Sequence, residues 1–447
     1  MLRFLRKDKY FILLIFFLAF FLRLGYAFRE KPALYDDALG FDAIGQSLAE
    51  GRGYRLSDRP IEQDIAIIHP PVYPLFLSII YRIFGYSHKA VWVIQSILSA
   101  LVCVFIFWIA KALFGLGVAR LSAIISAFFF TFIIYSAVLF SEAFFLFLLL
   151  LCFIYIYKAE FSKVNIRYLW PGFLAGLSIY TRTIILPFFI FLSIFFFGRS
   201  IKKRIWFLLP IVLLASLWIT RNYYVYQRFI PVSVGGGEMF LNSHDEEALA
   251  HTVERQTNAQ DYIAYDNTSY QQGLQFILKH PLRTISLEIK KVFLFFNLRL
   301  TEVWWSDIQE NKAKLFPYTL LLLFNFFTFF FAIMGIVFSY LHHNRYIRWM
   351  RLFIYVSILS LVPFIIETRY RMPLYPFFII FAAYGLSLLP QIRASLRKHE
   401  RKTTRLFGIT LIIFLIILAA SFGDLFSRSE EVLRRIRILR NGTDYMR

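Results

Sequence analysis

Two adjacent carboxylates, Asp36 and Asp37, open a polar stretch that directly follows an almost unbroken apolar run over residues 11–28. A carboxylate held beside a substrate hydroxyl can take its proton as that hydroxyl attacks, which is general base catalysis. Asp is also favoured at the N-cap of a helix, so the pair could simply begin the next helix. The sequence leaves open whether Asp36 or Asp37 is the base, at a membrane surface where the first span ends.

Further ionisable and aromatic residues lie in connections between apolar runs, and the predicted order of membrane spans places these connections on the same membrane face as the acid pair. They are His69, Glu142, Arg182, Arg221, Glu367, Arg369 and Tyr370. Arginine suits a lipid phosphate because its planar, permanently charged guanidinium donates paired hydrogen bonds. Interfacial anchoring would also explain the arginines and the tyrosine. His69 and Glu142 are candidates for orienting an acceptor or a metal, but a Pro-Pro turn and a helix cap also fit them. Gly235–Gly237 is either a plain turn or a backbone nest for phosphate.

An acid pair beside several arginines favours group transfer from a lipid phosphate. In sugar transfer, a carboxylate would deprotonate the acceptor and cations would hold the phosphate leaving group. The sequence contains neither a P-loop nor a G-x-G-x-x-G motif. Since nucleotide donors are not expected outside the cytoplasm, the activated donor would be lipid-linked.

Composition predicts an all-α polytopic membrane protein. Of 447 residues, 59% are hydrophobic and mean hydropathy is +0.60, too apolar for a soluble chain. The net charge of +21 fits basic cytoplasmic loops and anionic lipid headgroups, with no nucleic acid as partner. Both cysteines lie in apolar runs, so the sequence implies neither a disulfide framework nor a thiolate metal site.

Apolar segments predict about eleven transmembrane helices, with a range of ten to thirteen, and a cytoplasmic N-terminus. The segments are residues 10–28, 91–113, 121–139, 143–157, 169–180, 184–197, 205–219, 318–341, 352–366, 374–389 and 406–421. They form one transmembrane domain, 1–422, with a first outer loop of about 29–89 and a large outer region of about 221–317. Within the first loop, residues 69–85 predict an interfacial helix. A basic tail, 423–447, follows, and the positive-inside rule leaves its side of the membrane open.

Several motifs together resemble the GT-C superfamily of membrane glycosyltransferases, in the branch of protein O-mannosyltransferases and the lipid A aminoarabinose transferase. They are FFLRLGYAF (20–28), DALGFDAIGQSLAEGRGY (37–54), HPPVYPLFLSIIYRIFG (69–85), Ser141-Glu142, GFLAGLSIYTRTIILPF (172–188), TRNYYVYQRFIPVSVGGGE (220–238) and ETRYRMPLYPF (367–377). Each motif alone is loose, whereas their order, spacing and topology are fairly specific. The resemblance covers about residues 11–389.

This resemblance implies an inverting transfer from a polyprenyl- or dolichyl-phosphate sugar, with a base in the first outer loop. Spacing to Phe41 and Gly45 makes Asp37 that base and Asp36 the close alternative. Many relatives have Asp-Glu at this pair, and an aromatic hydroxyl where this chain has Phe41, so the register stays open. The resemblance leaves a divalent metal ion open as cofactor. It implies lipid-phosphate contacts for Arg23, Arg182, Arg221, Arg369 and Tyr370.

The predicted enzyme lies in a bacterial or archaeal plasma (inner) membrane, with its site on the extracytoplasmic side. Its acceptor would be a lipid, a glycan or a protein, and membrane lipids would surround it. One alternative is a transporter or flippase of lipid-linked sugars, which predicts a polar path through the spans that the sequence lacks. Another is an O-antigen ligase or polymerase, which would use a diphosphate carrier.

Overall fold

The computed structural model describes residues 2–57, 64–162, 164–198, 200–245, 261–296, 315–364 and 368–440. Regular structure in these residues is helical throughout, and the prediction of an all-α polytopic membrane protein is confirmed. The α-helices are α1 (Leu2–Glu30), α2 (Asp37–Ala49), α3 (Val72–Phe84), α4 (His88–Phe114), α5 (Leu116–Phe128), α6 (Phe130–Ala137), α7 (Glu142–Glu160), α8 (Leu169–Ile179), α9 (Leu186–Phe195), α10 (Ile201–Tyr226), α11 (Gly236–Asn242), α12 (Tyr262–Lys279), α13 (Pro281–Phe295), α14 (Leu315–Phe338), α15 (Arg345–Leu361), α16 (Tyr375–Ser387), α17 (Leu389–Arg397) and α18 (Arg401–Arg440).

Six of these helices are long and apolar enough to cross a membrane: α1, α4, α7, α10, α14 and α18. Two bent pairs raise the number to eight, α5 with α6 at 48° and α16 with α17 at 43°. The predicted spans 169–180, 184–197 and 352–366 correspond to α8, α9 and α15, which have only 11, 10 and 17 residues. At about 1.5 Å per residue they fall short of a hydrocarbon core of about 30 Å. The count of eleven spans is therefore not confirmed.

The centre of the bundle is α16, whose side chains from Tyr375 to Gly385 are all buried. It packs closely against α14 because glycines face each other at the crossing. A Cβ on Gly335 would lie 1.9 Å from the Phe381 carbonyl oxygen, and one on Gly385 would lie 2.3 Å from that of Phe331. Small residues at such crossings let two backbones approach. This packing fixes the turn Thr368–Arg371, which leads into α16.

The connection between α6 and α7 is held by a buried polar network. Gln95, fully buried in α4, donates hydrogen bonds from Nε2 to the carbonyls of Ser136 (3.2 Å) and Val138 (2.9 Å). The Tyr73 hydroxyl, in α3, donates to Gln95 Oε1 at 2.7 Å. These bonds satisfy buried backbone acceptors that would otherwise be costly. They also fix the position of Glu142, at the start of α7.

The predicted interfacial helix, residues 69–85, corresponds to α3, which packs against α2 in the first outer loop. At the other end of the chain, α18 continues past residue 423, the predicted start of the basic tail, as far as Arg440. Residues 441–447 lie outside the described part of the chain.

Candidate active site

Asp37 lies where the first outer loop meets the turn before α16. It is the first residue of α2, and its Oδ2 accepts a hydrogen bond from Arg369 Nη1 at 2.7 Å. The Asp37 side chain keeps 39% of its accessible surface, whereas Arg369 keeps 15%. Two segments 332 residues apart thus form a charged contact that leaves the carboxylate open to a substrate.

The surroundings keep Asp37 ionised. Burial opposes its charged form, but attraction by the Arg369 guanidinium, with a smaller contribution from Arg182, outweighs burial, so the pKa of Asp37 lies below its usual value. The N-terminus of α2 adds a favourable dipole for a negative charge. Asp37 is therefore a carboxylate at neutral pH, the form that can accept a proton.

A second ion pair joins α7 to the connection between α8 and α9. Arg182 Nη1 donates to Glu142 Oε1 at 2.5 Å and to Ser141 Oγ at 3.3 Å. The side chains keep only 14% and 1% of their accessible surface, for Arg182 and Glu142 respectively. Oε2 of Glu142 is also buried and has no hydrogen-bond partner among the residues that the structure describes. Since buried polar atoms are nearly always paired, this oxygen is a ready acceptor for a substrate hydroxyl.

Tyr370 brings the two arginines into one cluster. The guanidinium carbons of Arg182 and Arg369 lie 6.0 and 5.6 Å from the centroid of its ring, within cation–π range. The Tyr370 hydroxyl also lies 3.8 Å from Met239 Sδ in α11, so the large outer region covers this side of the cluster. Two guanidinium groups beside an accessible carboxylate suit a phosphate next to a reacting hydroxyl.

The Glu142–Arg182 pair is expected to be a strong determinant of stability. Removing one member of a buried ion pair leaves the other charge uncompensated, which typically costs about 3–5 kcal/mol. Glu142→Gln and Arg182→Gln should each lower the free energy of unfolding, measured by thermal unfolding in detergent. The double variant should lose less than the sum of the two single losses. Strictly additive losses would contradict a direct coupling between these side chains.

His69 packs directly onto α2. Its ring centroid lies 4.8 Å from that of Phe41, and its side chain is nearly buried. Burial lowers the pKa of His69, and Asp37 opposes this only in part, so the imidazole is neutral at pH 7. The Tyr54 hydroxyl holds the His69 carbonyl at 2.6 Å. A neutral imidazole beside Asp37 can both donate and accept hydrogen bonds.

Gly40 makes room for the His69 ring. A Cβ at this position would lie 2.1 Å from His69 Nε2. In Gly40→Ala the helix itself would gain about 1 kcal/mol of propensity, yet the ring would have to move. We expect lower activity without loss of helix content, measured by transfer assays and circular dichroism. Gly25→Ala, in α1 with open space around it, is the matched control; equal effects of the two substitutions would refute the steric argument.

Asp36 occupies the N-cap position of α2 without acting as a side-chain cap. It has φ +50°, its side chain is exposed, and it makes no capping hydrogen bond. The cluster therefore includes Asp37 and not Asp36. Sequence alone could not separate them, because both flank the same helix start.

The structure places Arg221 outside the cluster. Its guanidinium carbon lies 5.4, 5.1 and 5.4 Å from the ring centroids of Tyr54, Trp218 and Tyr226. It also donates to the Tyr54 carbonyl at 3.3 Å. Since the Tyr54 hydroxyl bonds to His69, Arg221 supports the site from behind rather than facing it.

Arg23 lies inside the bundle, between α1, α4 and α5, and is fully buried. Its N–H groups donate to the carbonyls of Ala19, Ala127 and Ser126 and to the side chains of Ser99 and Cys103. These five bonds use every donor of the guanidinium. The described contacts of Arg23 are thus with the protein itself.

The backbone N–H groups of the glycine-rich turn, predicted as a possible phosphate nest, bind a carboxylate of the protein itself. Asp266 Oδ1, in α12, accepts from the backbone N–H groups of Gly237 (2.7 Å) and Glu238 (3.1 Å). Sequence reasoning missed Asp266, and its only signal was an Asp on a polar helix. Glu367, predicted on the same face, lies outside the described residues.

A metal would find few ligands among the described residues. No three His, Cys, Asp or Glu side chains converge there, and Asp37 and Glu142 are each paired with an arginine. These residues do not make a protein-built metal site. The divalent ion that the sequence left open stays a prediction, and the mechanism below has no step through it.

The fold and cluster define a class: a multi-pass helical membrane protein in which Asp37, Arg369, Arg182 and Glu142 lie together at one end of the bundle. The family model described as dolichyl-phosphate-mannose-protein mannosyltransferase matches residues 68–222, about a third of the chain. This match supports a GT-C superfamily membrane glycosyltransferase. It includes His69, Glu142 and Arg182, whereas Asp37 and Arg369 lie outside it. No curated protein matches the chain significantly.

Proposed function

We propose that this protein transfers a sugar from a polyprenyl-phosphate carrier to an acceptor hydroxyl at the extracytoplasmic membrane surface, with inversion at the anomeric carbon. The observation that carries the proposal is the Asp37–Arg369 pair, with Arg182 beside it. The description of the matching family names a polyprenol-type phosphate sugar donor, which supports the same donor class.

In the proposed reaction, the acceptor oxygen attacks the anomeric carbon from the face opposite to the phosphate. The bond between that carbon and the phosphate oxygen breaks, and the acceptor proton passes to Asp37. The lowered pKa of Asp37 ensures that the base is ionised before substrate arrives. General base assistance of this kind typically contributes about 10²–10⁴ in rate.

Polyprenyl phosphate leaves with the electron pair of the broken bond. Arg369 and Arg182 are the proposed cations for its oxygens, because guanidinium groups give strong, oriented hydrogen bonds to phosphate. Once Arg369 turns toward the phosphate, it binds Asp37 less tightly. Asp37 then becomes a stronger base at the moment when the acceptor must be deprotonated.

Glu142 and His69 are the proposed acceptor-orienting residues. Glu142 Oε2 is buried without a hydrogen-bond partner among the described residues, and the His69 ring packs on Phe41 in α2, the helix that Asp37 begins. Hydrogen bonds to such preset groups hold a hydroxyl in a reactive position, which lowers the entropic barrier. The acceptor itself is a lipid, a glycan or a protein.

The extracytoplasmic placement rests on charge distribution. The connections at the opposite end of the bundle contain the basic segments 198–204 and 393–405. Lys- and Arg-rich connections stay in the cytoplasm, which leaves the Asp37 cluster on the outer side.

Comparative mass spectrometry of lipids, surface glycans and proteins tests the proposal, using a deletion strain complemented with wild type or with Asp37→Asn. We expect one sugar mass to disappear from the acceptor in the deletion and to return only with wild type. Full restoration by the variant would contradict the proposed chemistry. Movement of labelled lipid-linked sugar across vesicles without a chemical change would indicate a flippase instead.

A further inference from the structure

A large cavity lies at the end of the bundle opposite to the Asp37 cluster. Its volume is about 1190 Å³, above the range of about 300–1,000 Å³ usual for small-molecule pockets. Its walls come from the first part of α1, α5 and α15, the last part of α4 and α7, the length of α9, and Phe377 in α16. Because this end carries the basic connections, the positive-inside rule assigns it to the cytoplasmic leaflet.

The deep part of this cavity is an aromatic wall. Phe153 packs on Phe188 and Phe377, with ring centroids 5.7 and 5.0 Å apart. Phe196 and Trp349 meet at 5.0 Å. All five rings line the cavity. Such a predominantly apolar surface suits a hydrocarbon chain.

The rim of the cavity is cationic. Lys111, Arg120 and Lys158 line it, with Asp8 as the one carboxylate among its lining residues. Asp8 is buried and accepts from Lys111 Nζ (2.7 Å) and Arg120 Nη2 (3.2 Å), so it holds two cations side by side. Lys158 lies 4.9 Å from the ring centroid of Tyr155 and forms no ion pair with a described residue. The rim therefore keeps an excess of positive charge.

Trp108 adds a hydrogen-bond donor, its indole N–H, to the cavity wall. It lines the cavity, and its Nε1–H is buried without a hydrogen-bond partner in the described part of the chain. Trp108 precedes Lys111 by three residues on α4, so both side chains lie on one face of the helix. An occupant of the cavity therefore needs an acceptor oxygen about one helical turn away from its negative charge.

We propose that this cavity binds an anionic phospholipid of the cytoplasmic leaflet. Its phosphate lies among Lys111, Arg120 and Lys158, a glycerol-ester oxygen accepts from Trp108, and an acyl chain fills the aromatic wall. Basic pockets between membrane helices on this side are suited to anionic headgroups. A ligand that consists only of a hydrocarbon chain would offer no oxygen to the rim cations or to the Trp108 N–H. This lipid site is separate from the proposed sugar transfer and does not depend on it.

Quenching of tryptophan fluorescence by brominated lipid tests the proposal in reconstituted vesicles. The probes are phosphatidylglycerol and phosphatidylcholine with the same dibrominated acyl chains. The protein has eight tryptophans, so the difference between wild type and the Trp349→Phe variant isolates the signal of Trp349. We expect Trp349 to be quenched at lower mole fractions of phosphatidylglycerol than of phosphatidylcholine. Equal quenching by the two lipids would overturn the proposal.

Two substitutions remove rim charge without stranding Asp8. Lys158→Gln breaks no ion pair with a described residue, and Arg120→Gln leaves Lys111 on Asp8. Each should weaken the phosphatidylglycerol preference by about fivefold, the effect of one cation near an anionic headgroup. Lys398→Gln and Arg397→Gln are matched controls, since both residues are exposed near the same end and do not line the cavity. Unchanged preference in the rim variants would overturn the proposal, as would displacement of the brominated lipid by polyprenyl phosphate alone.

Discussion

Asp37→Asn is expected to lower the rate of sugar transfer by about 10²–10⁴, the usual contribution of a general base. The amide keeps the size of the side chain but cannot take the acceptor proton. The fold should survive, because 39% of the Asp37 side chain is accessible and the residue starts a helix rather than filling the core. The measurement is transfer with the donor and acceptor that mass spectrometry identifies, together with binding of polyprenyl phosphate.

Asp36→Asn is the matched control for this substitution. Asp36 carries the same charge one position earlier, yet its side chain is exposed and makes no capping bond. We expect Asp36→Asn to transfer sugar at nearly the wild-type rate. Binding of polyprenyl phosphate should be unchanged in both Asp36→Asn and Asp37→Asn. If Asp36→Asn were the inactive one, the assignment of the base would be wrong.

Arg369→Gln is expected to weaken polyprenyl-phosphate binding by about 10- to 100-fold, because a hydrogen bond to a charged group contributes about 1.5–3 kcal/mol. The same change removes the neighbour that most favours ionised Asp37, so the pKa of Asp37 should rise. The proposed reaction needs the carboxylate, so activity is lost as pH falls through this pKa. Hence the acid limb of the pH–rate profile should move to higher pH in the variant.

Arg228→Gln provides the matched control for Arg369. Arg228 also pairs with a carboxylate, Asp261, but both side chains are exposed, with 41% and 49% of their surface accessible. Exposed pairs contribute little, so binding and the pH profile should stay as in wild type. Arg369→Lys should shift the acid limb less than Arg369→Gln does, because lysine preserves the charge. It should still weaken polyprenyl-phosphate binding, because lysine lacks the bidentate geometry. An acid limb that does not move in Arg369→Gln would refute the electrostatic coupling.

Most helices could be located from the sequence because their apolar runs are long and their ends are polar. Residues 91–113 and 318–341, for example, were predicted within a few residues of α4 and α14. Helix length was harder to predict. The apolar segments 169–180 and 184–197 are predicted as two spans with a break between them, and the structure has that break at the turn Thr183–Ile185. The helices on its two sides, α8 and α9, have only 11 and 10 residues. Hydropathy locates an apolar segment but does not show whether its helix is long enough to cross the membrane.

The sequence by itself determined the class of protein and the reactive groups that are present. It showed a membrane protein with an acid pair, a glutamate and several arginines at the ends of its apolar runs. Only the tertiary structure decided which of them meet. Asp37 pairs with Arg369, 332 residues away in the sequence. Arg221 is instead enclosed by three aromatic rings, and Arg23 donates all of its hydrogen bonds to protein groups inside the bundle. The physical reason is that periodicity gives the buried face of one helix, while a contact depends on how several helices pack. Asp36 lies just outside α2 with φ +50°, whereas Asp37 is the first helical residue, so the backbone at the helix start separates these two neighbouring carboxylates.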